Sequence, residues 1–92
     1  MTIWCVNTVE CEHLHDVYGV YSNLAVAGNA AMQCFRNVQY LENVLYDNDN
    51  VLTCRCISES WGYSIIMFQH DITTGKMTLF GVIEIGKMEL DR

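Results

Sequence analysis

The sequence predicts an α+β domain: a four- to five-stranded antiparallel sheet packed on one face by a single main helix, in the order β-β-α-β-β-β. Three observations predict it. Segments rich in β-branched and aromatic residues lie on both sides of one alanine-rich stretch whose apolar residues recur every three or four positions. The connections between the β-rich segments are short and carry turn-forming residues, which suits antiparallel pairing rather than parallel crossovers. Of the 92 residues, 51% are hydrophobic and 17% charged, enough to build one core and too short a chain for two. Residues 1–92 are therefore read as a single domain.

The first strand is expected over about residues 2–10, with Ile3, Cys5, Asn7, Val9 and Cys11 on one side and Trp4, Val6 and Thr8 on the other. After Glu10–Asp16 the chain has room to turn, and Val17–Tyr21 forms a second strand antiparallel to the first. Ser22 is the expected N-cap of the helix, its hydroxyl accepting from a backbone N–H one turn on. Leu24, Ala27, Gly28, Ala31, Phe35 and Val38 form the stripe that meets the sheet, and the small residues at 27, 28 and 31 predict close contact. Asn43 and the run Asp47-Asn48-Asp49-Asn50 end the helix, because short polar side chains compete for backbone hydrogen bonds.

Val51–Ile57 and Tyr63–Gln69 read as the third and fourth strands, joined through Glu59–Gly62 as a hairpin. The clearest local signal is Asp71-Ile72-Thr73-Thr74-Gly75-Lys76, where Gly75 supplies the left-handed conformation of a short hairpin loop. The fifth strand, Met77–Ile85, alternates Met77, Leu79, Gly81, Ile83 and Ile85 against Thr78, Phe80, Val82 and Glu84. Apolar residues on both faces predict a central position or a covered second face.

No stretch approaches the roughly 20 apolar residues of a membrane span, and Asn7 and Glu10 interrupt the apolar start that a secretory signal requires. The expectation is a cytoplasmic protein without membrane contact. Five cysteines, an odd number at irregular spacing, then read as reduced and mostly buried thiols rather than a disulfide framework. No serine-centred elbow, phosphate-cradling glycine loop or dinucleotide fingerprint is present. The expectation is no enzyme activity, no catalytic residue and no cofactor.

Three groupings of thiols and imidazoles could carry chemistry. Cys11, His13 and His15 share one face of an extended chain and define a zinc-binding alternative, a regulatory domain. Against it, neighbours on a straight strand stand about 6.8 Å apart, wide for ligands about 2.0–2.3 Å from one tetrahedral ion. Cys54 and Cys56 lack the Cys-x-x-Cys spacing and are read as small hydrophobes. A cysteine–histidine nucleophile pair would need His70 or His13 beside a thiol, which nothing in the spacing requires.

The charge is more informative. The chain carries a formal −6, which argues against an ordinary nucleic-acid binder and for a basic partner. It is unevenly spread: residues 1–50 hold six acids and one base, a net −5, and residues 51–92 hold five acids and four bases, a net −1. Glu10, Glu12 and Asp16 fall in the first turn and Asp47 and Asp49 in the loop after the helix. With the neighbouring Tyr18 and Tyr46 they are the candidate partner-binding residues.

Ile3-Trp4-Cys5-Val6-Asn7-Thr8-Val9, a polar turn, and Asp16-Val17-Tyr18-Gly19-Val20-Tyr21-Ser22-Asn23 opening an alanine-containing helix resemble small accessory proteins encoded by bacteriophages, over roughly residues 3–40. Among these, an acidic single domain without an enzyme motif is similar in kind to anti-CRISPR inhibitors of multi-subunit type I surveillance complexes. The resemblance implies a stoichiometric inhibitor in the host bacterial cell. It would bind a basic surface of the effector complex subunits and keep target DNA out by occlusion or by imitating phosphate charge, with contact to the bound nucleic acid left open. The motif specifies shape rather than chemistry, so no binding residue carries over from it. A phage assembly component that oligomerises through an apolar sheet face is a further alternative; the oligomeric state is not readable from the sequence.

Overall fold

A computed structural model describes residues 1–9, 17–45 and 50–91, the side chains of Val17, Tyr18, Val44 and Leu45 excepted. In chain order the elements are β1 (Thr2–Val9), β2 (Val17–Tyr21), α1 (Leu24–Tyr40), a π-helical turn (Leu41–Leu45), β3 (Asn50–Glu59), β4 (Gly62–Asp71) and β5 (Met77–Glu89). The five strands form one sheet in the order β2-β1-β5-β4-β3, and every neighbouring pair is antiparallel. The expected α+β architecture is the observed one, and β5, apolar on both faces, is the central strand.

The register assigns the two faces. Val6 lies opposite Ile85 and Thr8 opposite Ile83, while Ile65 lies opposite Ile83 and Met67 opposite Gly81. These side chains point toward α1, where Val6, Leu52, Ile65, Met67, Ile83 and Ile85 close over Ala27, Ala31, Cys34, Phe35 and Val38. The expected stripe holds, with Cys34 added and Leu24 at its edge. Burying this layer supplies most of the drive to fold, at about 25 cal/mol per Å² of apolar surface removed from water.

The N-cap is Asn23 rather than Ser22. Asn23 Oδ1 accepts from the amides of Ala25 at 2.8 Å and Val26 at 3.3 Å, the second and third helical residues that a cap must serve. Ser22 stands one residue too early for that reach. At the other end the helix loosens into the π turn, and two polar side chains from this region bind an edge of the sheet. Gln39 Nε2 donates to the Leu52 carbonyl at 3.0 Å, and the Leu52 amide donates to Asn43 Oδ1 at 3.3 Å. Since β3 is an edge strand, these bonds occupy backbone groups that would otherwise be open to pairing with another chain.

Asp71 organises the β4–β5 turn: its Oδ1 accepts from the Thr73 amide at 2.8 Å, the Thr73 hydroxyl at 2.6 Å and the Thr74 amide at 3.3 Å. Gly75 follows at φ +75°, as its place in the turn predicts. The expected strict alternation in β5 is corrected at one point. Met67 pairs with Gly81 but Phe68 with Leu79, so Phe80 is the extra residue of a β-bulge. The bulge moves Met77 and Leu79 to the face opposite Gly81, Ile83 and Ile85.

Candidate functional site

The acidic candidates are approached from the ends of the strands. β1 runs into the Glu10–Asp16 segment at Val9 and β2 leaves it at Val17; the second acidic segment runs from Leu45 to the start of β3 at Asn50. The antiparallel pairings fix the direction of each strand. The C-terminal end of β1, the N-terminal end of β2 and the N-terminal end of β3 all lie at one end of the sheet, where the Asp71–Lys76 turn also sits. Both acidic segments therefore leave and rejoin the fold from the same end. Glu10, Glu12, Asp16, Tyr46, Asp47 and Asp49 themselves lie outside the described residues, as do Cys11, His13 and His15 of the zinc alternative. Tyr18 is part of β2, but its side chain is outside the description.

One described carboxylate belongs to that end. Asp71 is held below the usual carboxylate range, first by the Thr73 hydroxyl and then by backbone amides of the turn, and it stays ionised to lower pH. Glu42, counted with the acids of the first half, belongs to the π turn and is buried at 6% exposure, so it adds nothing to an exposed patch.

The thiols and imidazole do not assemble into a nucleophile among the described residues. Cys54 and Cys56 lie opposite Met67 and Ile65 and so share the face toward the helix. His70 is on the other face, its Nε2 2.8 Å from the Thr53 hydroxyl. Burial raises the Cys54 thiol, and the adjacent Cys56 raises it further, the opposite of nucleophile activation. The expectation of mostly buried cysteines is corrected: of Cys5, Cys34, Cys54 and Cys56, only Cys34 is buried and Cys56 is exposed. Cys56 sits near the outer rim of an edge strand, where little packs over it. No group of three His, Cys, Asp or Glu suited to a metal ion occurs among the described residues.

Two features escaped the sequence reading. Beside Gly28 a cavity of about 230 Å³ separates α1 from the sheet, with Leu24, Gly28 and Met32 above Cys56, Tyr63 and Ile65. A Cβ at Gly28 would meet nothing within 4 Å, so this small residue leaves a gap instead of the close contact its place in the stripe predicts. At the rim, Trp4 and Tyr63 stand with ring centroids 6.4 Å apart. The second feature is the sheet face away from α1. Ile66 and Phe68 of β4 and Val82 of β5 are half-buried at its middle, and Leu79 and Met77 are 52% and 54% exposed toward one end. Among the described residues no helix or strand lies over it. The apolar alternation of β5 hinted at such a face, but only the pairing order identifies it.

No helix among the described residues is long and apolar enough to cross a membrane. Comparison with family models, with curated proteins and with solved structures finds no match for this chain.

Proposed function

We propose that this chain is a non-enzymatic inhibitor, of the anti-CRISPR kind encoded by phages, that acts in the host bacterial cytoplasm. It docks its acidic end on a lysine- and arginine-lined surface of a type I CRISPR surveillance complex and blocks target DNA. The observation that supports this reading most directly is directional: both acid-bearing segments depart from one end of the sheet, beside the ionised Asp71. Five carboxylates, Glu10, Glu12, Asp16, Asp47 and Asp49, thereby belong to segments anchored at one pole of a chain whose net charge is −6, the asymmetry that steers association with a basic surface. Tyr18 and Tyr46 neighbour them in sequence and supply the amphipathic contact area that anchors interfaces.

Magnitudes decide how such a surface works. Two unit charges about 4 Å apart in water interact by about 1 kcal/mol, and at physiological ionic strength the field is screened within about 8 Å. Five rim carboxylates thus contribute a few kcal/mol at most, chiefly through encounter rate and choice of partner. The remaining affinity comes from shape and aromatic contact, which makes occlusion the working mode and charge its guide.

The test is a mobility-shift titration of target DNA with a purified type I surveillance complex. The reading expects DNA binding to fall in proportion to added protein and to be lost at one inhibitor per docking surface. DNA binding that survives a large excess of the protein would exclude the reading.

A further inference from the structure

We propose that the free edge of β3, from Cys54 to Ser58, takes an extended segment of another protein as an added antiparallel strand, with one large apolar side chain of that segment seated in the cavity under α1. The Ser60–Trp61 turn closes on the pair Glu59 and Gly62, and the register from there runs unbroken along β3. Bonded and non-bonded pairs alternate in an antiparallel ladder, so Glu59, Ile57 and Arg55 turn their N–H and C=O to β4, while Ser58, Cys56, Cys54 and Leu52 turn theirs outward. The contacts at Leu52 agree, since Gln39 and Asn43 take its carbonyl and amide from outside the sheet. That cover ends there. No described residue bonds the outward main-chain groups of Cys54, Cys56 and Ser58, which leaves three donors and three acceptors along about 13 Å of edge at about 3.3 Å per residue. A second main chain presents its own donors and acceptors at the same spacing.

The cavity selects the side chain. Its floor is the buried pair Ile65 and Ile85, and of its lining residues Cys56 and Tyr63 are the exposed ones, so it opens beside the free edge. An apolar cavity of about 150 Å³ holds benzene; this one, at about 230 Å³, takes a ring the size of a phenylalanine side chain. The partner residue opposite Cys56 stands about 5.5 Å away across a bonded pair and shares its face of the sheet, which points its side chain to the cavity mouth. A second copy pairing through its own β3 would bring only Cys54, Cys56 and Ser58 to that face, too small to fill the space. The neighbouring partner residues fall on the other face, against Ile57 and Arg55. Arg55 is exposed and has no ion-pair partner among the described residues, so a carboxylate opposite it gains a cross-strand charge pair. Read from its N-terminus, the segment is therefore apolar, large apolar, acidic, set against Ile57, Cys56 and Arg55.

The probe is a blocked peptide, Ac-Ser-Thr-Val-Phe-Glu-Thr-Ser-NH2, titrated into the isotope-labelled full chain and followed by amide shifts and hydrogen exchange. In the free chain the amides of Arg55 and Ile57 should exchange slowly and those of Cys54, Cys56 and Ser58 fast; bound peptide should slow the latter three by about ten-fold or more. Replacing the peptide's phenylalanine by alanine should weaken binding about ten-fold or more. Gly28→Leu fills the cavity from the helix side, where a Cβ meets nothing within 4 Å, and should weaken the phenylalanine peptide by a similar factor while leaving the alanine peptide unchanged. Ser58→Pro removes an outward donor that β4 does not use, so binding should be lost with the circular dichroism spectrum unchanged. Absence of binding up to about 1 mM peptide overturns the proposal, as does binding that leaves the three amides in fast exchange, equal affinity for the two peptides, or full binding by either variant. Concentration-dependent protection of the same amides in the chain alone would assign the edge to a second copy and overturn it too. The acidic end is a separate surface, so its docking role stands or falls independently.

Discussion

Gly62→Ala is the substitution the fold tolerates least for its size. Gly62 opens β4 immediately after the Ser60–Trp61 turn, pairs with Gly86 of β5 and has φ +149°. A Cβ there would lie 1.9 Å from the Ile85 carbonyl oxygen. An ordinary carbon–oxygen approach is about 3.3 Å, so the deficit is about 1.4 Å against backbone, which cannot swing aside as a side chain would. Relief requires parting β4 from β5 where the Lys87 amide donates to the Trp61 carbonyl at 2.8 Å. Backbone strain of about 1–3 kcal/mol and overpacking of about 1–3 kcal/mol together cost about 2–6 kcal/mol. At roughly 4–8 °C per kcal/mol for a domain of this size, the melting temperature should fall by at least about 8 °C. Gly28→Ala is the matched contrast. A methyl there meets nothing within 4 Å and removes a helix glycine, which should raise stability by about 0.5–1 kcal/mol. Thermal and urea melts followed by circular dichroism read both. A Gly62→Ala protein melting within two or three degrees of wild type, or a Gly28→Ala protein losing as much as Gly62→Ala, would refute the reasoning.

Three further outcomes follow from the described contacts. Asn23→Ala should cost about 1 kcal/mol and Ser22→Ala almost nothing, a difference that urea midpoints resolve. Asp71 has a folded-state pKa below its unfolded value. Its contribution is therefore present above the unfolded pKa and lost as pH falls through the folded one, so Asp71→Ala should flatten the acid limb of a stability–pH profile and leave its alkaline limb unchanged. Labelling with a thiol reagent at neutral pH, resolved by mass spectrometry, should modify Cys56 first, Cys54 more slowly because its thiol is raised by burial, and Cys34 only on opening of the core.

Local chemistry made much of the fold readable from the chain. The Asp71–Lys76 turn announces itself because aspartate and glycine do separate jobs four residues apart, and β2 is seen with its observed bounds because Val17–Tyr21 is β-rich between two polar breaks. The helix stripe is readable since only one periodicity fits Ala27, Ala31, Phe35 and Val38. Harder cases turned on a single residue. Ser22 and Asn23 are both good caps, and the choice rests on which oxygen reaches the Ala25 and Val26 amides. Phe80 gives no local sign that it is the extra residue of a bulge, since a bulge depends on what lies opposite, and strict alternation therefore puts Met77 and Leu79 on the wrong face. The candidate site was half legible. The acids are plain in the sequence, but their departure from one end of the sheet follows from the pairing of β1 with β5, strands some eighty residues apart, which no neighbouring residue encodes. The apolar face away from α1 is only hinted at by the alternation of β5, for the same reason.

Recognition by carboxylates at one pole of the molecule is the central element of the proposed function. The direct measurement is the association rate with a purified type I surveillance complex at low and raised salt, for the wild type and for a variant carrying E10Q, E12Q, D16N, D47N and D49N. Wild-type association should slow steeply as salt rises, and the neutralised variant should associate slowly at both salt concentrations while melting at an unchanged temperature. Equal rates for the two proteins, insensitive to salt, would contradict it.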